Sequence, residues 1–160
     1  MTLALSQSFK LSLNKGKDTL PVSKELEHIH HYMTIQNIRY NNRFVYIEDV
    51  EPAVKAMEIL KLLLQPLVEN AIYHGLEPKV GNGVIKLAGK KEGEYLVFEI
   101  EDDGVGIDDR TKIEDGYGLR NVQERLSMYY GPSSTMQITS QVNEGTRVVL
   151  RLQLGGTKDA

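Results

Sequence analysis

One segment, residues 64–75 with the sequence LQPLVENAIYHG, constrains the fold of this 160-residue chain more than any other. Its apolar side chains recur at intervals of three and four residues, which predicts a helix with one buried face. These apolar residues are Leu64, Leu67, Val68, Ala71 and Ile72. Asn70 and His74 are four residues apart, so they project from one side of that helix on successive turns.

Three polar groups lie beside this apolar face: the carboxylate of Glu69, the amide of Asn70 and the imidazole of His74. Polar groups that are buried without partners cost free energy, and a bound ion and a phosphate would be suitable partners. A helix end whose polar side chains simply reach solvent would have the same sequence. The segment alone leaves both interpretations open.

The composition is that of one soluble globular domain with a sizeable core. A net charge of −3 argues against a nucleic-acid binder that is held mainly by phosphate contacts. The absence of cysteine excludes disulfides and thiolate metal sites. No apolar run approaches the length of about eighteen residues that a membrane helix needs.

A predicted strand that ends in an acidic residue and two glycines is the second informative pattern. The run YLVFEIED leads directly into Gly104 and Gly106, so Asp102 would be held rigidly at the end of the strand. Glycines at these positions let the backbone come close to a ligand. An ordinary acidic turn has the same pattern, which is therefore weak evidence by itself.

A third pattern places Gly116 and Gly118 immediately before a predicted helix that begins near Leu119. Backbone N–H groups at the start of a helix are a natural seat for phosphate. The pattern is neither a Walker A loop nor a dinucleotide-binding fingerprint.

Periodicity predicts three further helical features. A helix covers residues 1–13, and a long amphipathic helix covers residues 21–41 with Ser23 as its N-cap. The central helix begins between residues 56 and 62, and Pro66 either kinks it or lies in its first turn. His28, His30 and His31 lie on the long helix, where exposed surface positions are more typical than a phosphoacceptor or a metal site.

Alternating apolar residues predict five strands. The first strand covers residues 43–49. A hairpin follows over residues 83–88 and 94–102, with its turn at 89–93, and a terminal hairpin covers residues 134–142 and 146–154. Residues from Gly155 onward are predicted to be a frayed tail.

Four short motifs carry a family resemblance. In chain order, ENAIYHG, DDGVGI, GYGLRN and EGT resemble the N, G1, G2 and final Gly-Thr boxes of the GHKL ATPases. The segments LQPLVENAIYHGL, EIEDDGVGI and GLRNVQERL are similar to sensor histidine kinases of the LytS type, and so is YMTIQNIRYNNRF in the preceding helix. The resemblance covers nearly the whole chain.

The resemblance implies an α/β fold, namely a two-layer sandwich of a mixed sheet covered on one face by helices. It implies that residues 1–42 are the truncated end of a dimerisation and acceptor region with a linking helix. Residues 43–155 would form the ATP-binding catalytic domain, and residues 156–160 a tail.

The same resemblance implies that ATP lies between the 64–74 helix and a short lid at 108–115. Asp102 would accept the adenine amino group, Gly104 and Gly106 would leave room for the base, and Thr146 would support that end of the pocket directly or through water. Asn70 would hold Mg²⁺, which takes oxygen ligands. Glu69 would orient or deprotonate the attacking group. Phosphate contacts would come from Gly116, Gly118, Leu119 and His74.

The implied function is transfer of the ATP γ-phosphate to a histidine on a missing upstream helix, for relay to the receiver domain of a response regulator. The intact protein would be a homodimer through that helix, and this part would be the cytoplasmic domain of a membrane-anchored sensor. The family's His-Pro-Phe acceptor motif and the phenylalanine-bearing lid box are both absent from the sequence. The alternative is a nucleotide-gated switch that controls a protein partner, and phosphotransfer to a supplied acceptor domain would discriminate the two.

Overall fold

The computed structural model describes residues 18–107 and 119–154. Its main feature is a five-stranded mixed sheet with the order β2-β4-β5-β7-β6. β2 pairs with β4 in parallel, and the other neighbours are antiparallel. These strands are β2 Phe44–Val50, β4 Gly83–Glu92, β5 Tyr95–Asp102, β6 Thr135–Gln141 and β7 Gly145–Gln153. A mixed sheet with helices confirms the predicted α/β class.

The sheet buries one face and exposes the other. Leu87, Phe98 and Leu150 are fully buried on the inner face, whereas the outward positions between them carry charged residues such as Lys86 and Arg147. Alternation of this kind is typical of a sheet that is covered by helices on one side. The covering helices are α1 Val22–Arg39, α3 Gln65–Asn70 and α4 Leu119–Tyr130, and a short helix, α2, spans Pro52–Lys55.

The long helix α1 packs into the same core as the sheet. Val22, Leu26, Ile29 and Met33, spaced at four, three and four residues, are buried in one cluster with the inner face of the sheet. The predicted N-cap was wrong. The cap position is Pro21, which is the last residue of a short strand that runs directly into the helix. The first helical N–H, from Val22, donates to the carbonyl of Met57 at 2.8 Å.

A second, two-stranded sheet lies outside the predicted elements. It pairs β1 Thr19–Pro21 with β3 Glu58–Leu60. The predicted start of the central helix between residues 56 and 62 was therefore wrong, because that stretch is drawn into the pairing. The helix α3 begins at Gln65, and Pro66 lies in its first turn, where its missing N–H costs nothing.

The predicted hairpins were confirmed, although one turn was misplaced. The terminal hairpin agrees within one residue at every end. In the β4–β5 hairpin the strand continues through Gly89 as far as Glu92, and the turn occupies residues 93–94. Gly89 pairs with Phe98 inside the strand, and a Cβ at this position would lie 2.8 Å from the Phe98 ring, so glycine fits here.

Several predictions fall on residues outside the described ranges. They concern the helix over 1–13, the lid at 108–115, Gly116, Gly118 and the tail at 156–160. The boundary between residues 42 and 43 stays a prediction. Within 18–107 and 119–154, no helix combines the length and the apolar character needed to cross a membrane.

Candidate nucleotide site

The helix that carries the polar residues changes its winding in the middle. α3 ends at Asn70 and continues as a π-helical segment, Ala71–Leu76, in which the N–H of Glu77 donates to the carbonyl of Ile72 at 2.7 Å. Single π-helical turns are rare in proteins, and those that occur are often found at functional sites. The side chains of Leu67, Val68 and Ile72 are buried, as the apolar spacing predicts.

Asn70 and His74 line one cavity between this helix and the sheet. Their four-residue spacing therefore brings both side chains to a common site. Burial lowers the pKa of His74, so the neutral imidazole is favoured. The Tyr73 ring lies edge-on to that imidazole, with the two centroids 4.7 Å apart.

Asp102 stands at the sheet side of the same cavity, with only 6% of its surface exposed. Its Oδ1 accepts the N–H of Gly104 at 2.8 Å. Burial raises the pKa of Asp102 to about 6, against the opposing effect of hydrogen bonds from the Gly104 and Thr146 backbones. The carboxyl group is thus a buried acceptor that is ionised at neutral pH.

Gly75 allows the Asp102 carboxylate to approach the helix. A Cβ on Gly75 would lie 2.7 Å from Oδ1 of Asp102, a distance that real contacts of this kind do not reach. Gly75 was absent from the predicted site residues, and its position one residue after His74 was the signal that could have identified it.

Gly104 and Gly106 hold the loop after β5 tightly against its neighbours. A Cβ on Gly104 would lie 2.2 Å from the carbonyl oxygen of Gly75, and one on Gly106 would lie 2.1 Å from that of Gln141. Gly106 also has a φ of 77°, which favours glycine. These contacts are between backbone and backbone, and the predicted role of the two glycines in leaving room for a base stays a prediction.

Two further residues of the predicted site also line the cavity, namely Thr146 and Leu119. Thr146 is the cross-strand partner of Asp102, so the two side chains lie on the same face of the sheet. Leu119 is the first described residue of α4. The remaining walls are largely apolar and were missed by the prediction: Leu67, Ala71, Ile100, Ile107 and Val148.

Ile100 and Val148 could have been found from strand alternation. Each is two residues from a predicted site residue on its own strand, Asp102 and Thr146 respectively, and residues two apart share one face of a sheet. The cavity has a volume of about 30 Å³, which is room for about two water molecules.

Glu69 does not line the cavity. Its Oε2 accepts a hydrogen bond from the Gln65 side chain at 2.9 Å, one helical turn earlier. Its predicted catalytic role stays a prediction. Within the described ranges, no group of three or more His, Cys, Asp or Glu side chains could hold a metal ion. Mg²⁺ nevertheless needs only one or two protein oxygens when phosphates and water supply the others, and the Asn70 amide fits that requirement.

Comparison with known families agrees with this geometry. Residues 57–156 match the family described as histidine kinase-, DNA gyrase B- and HSP90-like ATPase. The chain belongs to this ATPase family. Residues 1–44 match a second family, described as histidine kinase.

Relatives of this ATPase domain are sensor histidine kinases. YesM of Bacillus subtilis (strain 168) is 35% identical over 155 residues, which cover 95% of this chain and 27% of YesM. LytS of Bacillus anthracis is 30% identical over 161 residues, covering 92% of this chain and 27% of LytS. The chain thus spans about a quarter of the length of these curated relatives.

Solved structures support the same fold. The histidine kinase AdeS of Acinetobacter baumannii aligns with a TM-score of 0.67 and 16% identity, over 86% of this chain and 67% of that one. The histidine kinase domain of the blue-light activated kinase EL346 of Erythrobacter litoralis aligns with a TM-score of 0.66 and 19% identity, over 91% and 68%. The ATPase domain therefore has the fold of histidine kinase catalytic domains.

Proposed function

We propose that this domain binds Mg²⁺-ATP and transfers the γ-phosphate to a histidine in a two-component sensor kinase, for relay to a response regulator. The observation that carries the proposal is the convergence of Asn70, His74, Asp102 and Thr146 on one cavity at the helix–sheet junction. A cavity with apolar walls and a few convergent polar groups is the usual form of a small-molecule site.

The base would enter between the apolar walls, beside Asp102. At neutral pH the Asp102 carboxylate is an acceptor, which suits the amino group of adenine. Thr146, on the neighbouring strand, would support the same edge of the base.

The phosphates would extend past Asn70 and His74 toward the start of α4. Asn70 would supply an amide oxygen to Mg²⁺, which would neutralise phosphate charge when bound. The neutral imidazole of His74 and the N–H groups near Leu119 would donate to phosphate oxygens. Gly116 and Gly118 are proposed to take part on the strength of the sequence resemblance.

Transfer joins an imidazole nitrogen of the acceptor to the γ-phosphorus and breaks the bond between that phosphorus and the bridging oxygen of ADP. Such chemistry depends mainly on positioning and charge neutralisation. Glu69, held by Gln65 outside the cavity, is proposed to orient the incoming imidazole or to take its proton.

The acceptor is proposed to lie outside the four histidines of this chain, on an upstream helix of a homodimeric sensor. His28, His30 and His31 lie on exposed positions of α1, and His30 lies 3.4 Å from Glu48. The proposed whole protein is a membrane-anchored sensor with this domain in the cytoplasm, and its partner is a response regulator receiver domain.

Calorimetric titration with Mg²⁺-ATP tests nucleotide binding, with Mg²⁺-GTP as the comparison. We expect ATP to bind, GTP to bind far more weakly, and Asp102→Asn to lower ATP affinity by about tenfold or more, because the amide can face the adenine amino group with a second donor. Absence of ATP binding would overturn the proposal. Phosphotransfer to a supplied histidine acceptor domain would distinguish a kinase from a nucleotide-gated switch.

A further inference from the structure

A row of three polar side chains crosses the sheet at the end of the cavity. Asp102 pairs with Thr146 across β5 and β7, and Thr146 pairs with Ser140 across β7 and β6. Cross-strand partners project from the same face, so all three point toward the helices. Asp102 and Thr146 line the cavity, and Ser140 stands behind them, one strand further along.

The Ser140 hydroxyl makes three contacts. It accepts the backbone N–H of Ile107 at 2.7 Å, and it lies 2.9 Å from Oγ1 of Thr146 and 3.2 Å from the carbonyl oxygen of Gly145. A serine hydroxyl has one proton to donate and two lone pairs that accept, whereas a carbonyl oxygen only accepts. All three contacts are satisfied together only when Ser140 donates to Gly145 and accepts from both Ile107 and Thr146.

This arrangement fixes the polarity of the Thr146 hydroxyl. Its proton is directed to Ser140, so it presents lone pairs to the cavity, beside the Asp102 carboxylate, which also accepts. The end of the cavity is therefore a wall of acceptors. Such a wall attracts the exocyclic amino group at C6 of adenine and repels a carbonyl oxygen at the same position of the ring.

Ser140 also holds the loop that follows β5. The loop is attached by the N–H of Gly104 to Asp102, the N–H of Val105 to the carbonyl of Gly75 at 3.0 Å, and the N–H of Ile107 to Ser140. Because Ile107 and Thr146 both line the cavity, a single hydroxyl positions two of its wall residues.

We propose that Ser140 is a positioning residue that sets the Thr146 hydroxyl as an acceptor and thereby contributes to the selection of a 6-amino purine. The inference rests on the proposed nucleotide function. Removal of the Ser140 hydroxyl would free the Thr146 hydroxyl to rotate and to donate a hydrogen bond to the C6 carbonyl of a 6-oxopurine.

The test is a calorimetric titration of the wild-type domain, Ser140→Ala, Thr146→Val and the double variant with Mg²⁺-ADP and Mg²⁺-IDP. The two nucleotides differ at C6, which carries an amino group in ADP and a carbonyl in IDP, and at the adjacent N1, which accepts in ADP and carries a proton in IDP. We expect Ser140→Ala to weaken ADP binding by about threefold to tenfold and to lower the ratio of ADP to IDP affinity. In the Thr146→Val background, loss of Ser140 should change that ratio much less, because the two residues act as one unit.

Ser134→Ala is the matched control. Ser134 is buried near the other end of the same hairpin, where its hydroxyl accepts the N–H of Gln153 at 2.9 Å, so its loss should leave the affinity ratio unchanged. Ser140→Cys keeps a side chain of similar shape, but its thiol forms only weak hydrogen bonds. If the alanine variant folds poorly, the cysteine variant should still show the lowered ratio of ADP to IDP affinity. An unchanged ratio in both Ser140 variants overturns the inference, whereas failure of the wild-type domain to bind ADP overturns the nucleotide function itself.

Discussion

The carboxylate of Glu25 on α1 accepts the backbone N–H of Leu64 at 2.8 Å, and the same oxygen accepts the N–H of Gln65 at 3.0 Å. These two amides stand at the start of α3, where helix geometry leaves N–H groups without partners. A side chain from the long helix α1 thus caps the helix that carries Asn70. Arg125 of α4 holds the adjoining turn by donating to the carbonyls of Lys61 and Leu62.

Glu25→Ala should destabilise the domain by about 1–3 kcal/mol, because it leaves two helix-start amides without their acceptor in a buried place. Glu25 is 1% exposed. Urea unfolding followed by circular dichroism measures the change. Glu27→Ala is the control, since Glu27 is exposed on the same helix and pairs with exposed Lys24 at 3.4 Å. It should cost less than about 0.5 kcal/mol. An equal loss of unfolding free energy in both variants would contradict a stabilising role of the Glu25 cap.

Asp102→Asn should stabilise the protein at pH 7.5 while it weakens nucleotide binding. Folding raises the pKa of Asp102 to about 6, so between the unfolded value near 4 and pH 6 the folded state retains a proton that the unfolded state has lost. The free energy of unfolding of the wild type therefore falls as pH rises through that window, by roughly 2–3 kcal/mol.

Urea unfolding of wild-type and Asp102→Asn at pH 4.5 and pH 7.5 tests this relation. The advantage of the variant should be large at pH 7.5 and should shrink at pH 4.5. Burial raises the pKa of Glu25 as well, but Glu25 is present in both proteins and its effect cancels in the difference. A constant difference across pH would contradict the raised pKa.

Asn70→Ala should reduce the magnesium dependence of ATP binding more than it reduces the binding of adenosine. The reason is that an amide oxygen on this turn of the helix would meet the ion rather than the base. Titrations of ATP with and without Mg²⁺, and of adenosine, provide the comparison within one variant. Equal losses for all ligands would indicate a folding defect or a residue without contact to the ion.

The isolated chain should bind ATP and yet remain free of phosphohistidine. In-line transfer needs the acceptor nitrogen within about 3–3.5 Å of the phosphorus, and the exposed histidines of α1 lie outside the cavity. Incubation with γ-labelled ATP and Mg²⁺, followed by an acid-lability assay, measures the label. Acid-labile label that vanishes when His28, His30 and His31 are all replaced by glutamine would place the acceptor within this chain.

Local sequence patterns predicted those strands and helices whose structure depends on their own residues. Alternation located β5 and β7, and helical spacing identified the buried face of α3, because in both cases one face meets the core. The polar residues followed from their positions on these elements: Asn70, His74, Asp102 and Thr146 reach one cavity.

Pairings between distant segments were not predictable in the same way. The strand Glu58–Leu60 looks like the start of a helix until Thr19–Pro21, some forty residues earlier, pairs with it. Glu25 and Ser140 carry no local signal either, because each acts on backbone that belongs to another part of the chain. Such long-range contacts override local propensity.

The parallel pairing of β2 with β4 decides where this domain can be cut. The ATPase family match begins at residue 57, but β2 ends at Val50 and forms the edge of the sheet against the whole first part of β4, from Gly83 to Gly89. A recombinant protein started at residue 57 would leave that row of backbone amides and carbonyls open to other chains, and it would also lack Glu25. Exposed strand edges of this kind are templates for aggregation. A soluble recombinant domain should therefore retain the chain from Asp18, whose carbonyl accepts the N–H of Lys61 at 2.9 Å and which lies 39 residues before the start of the family match.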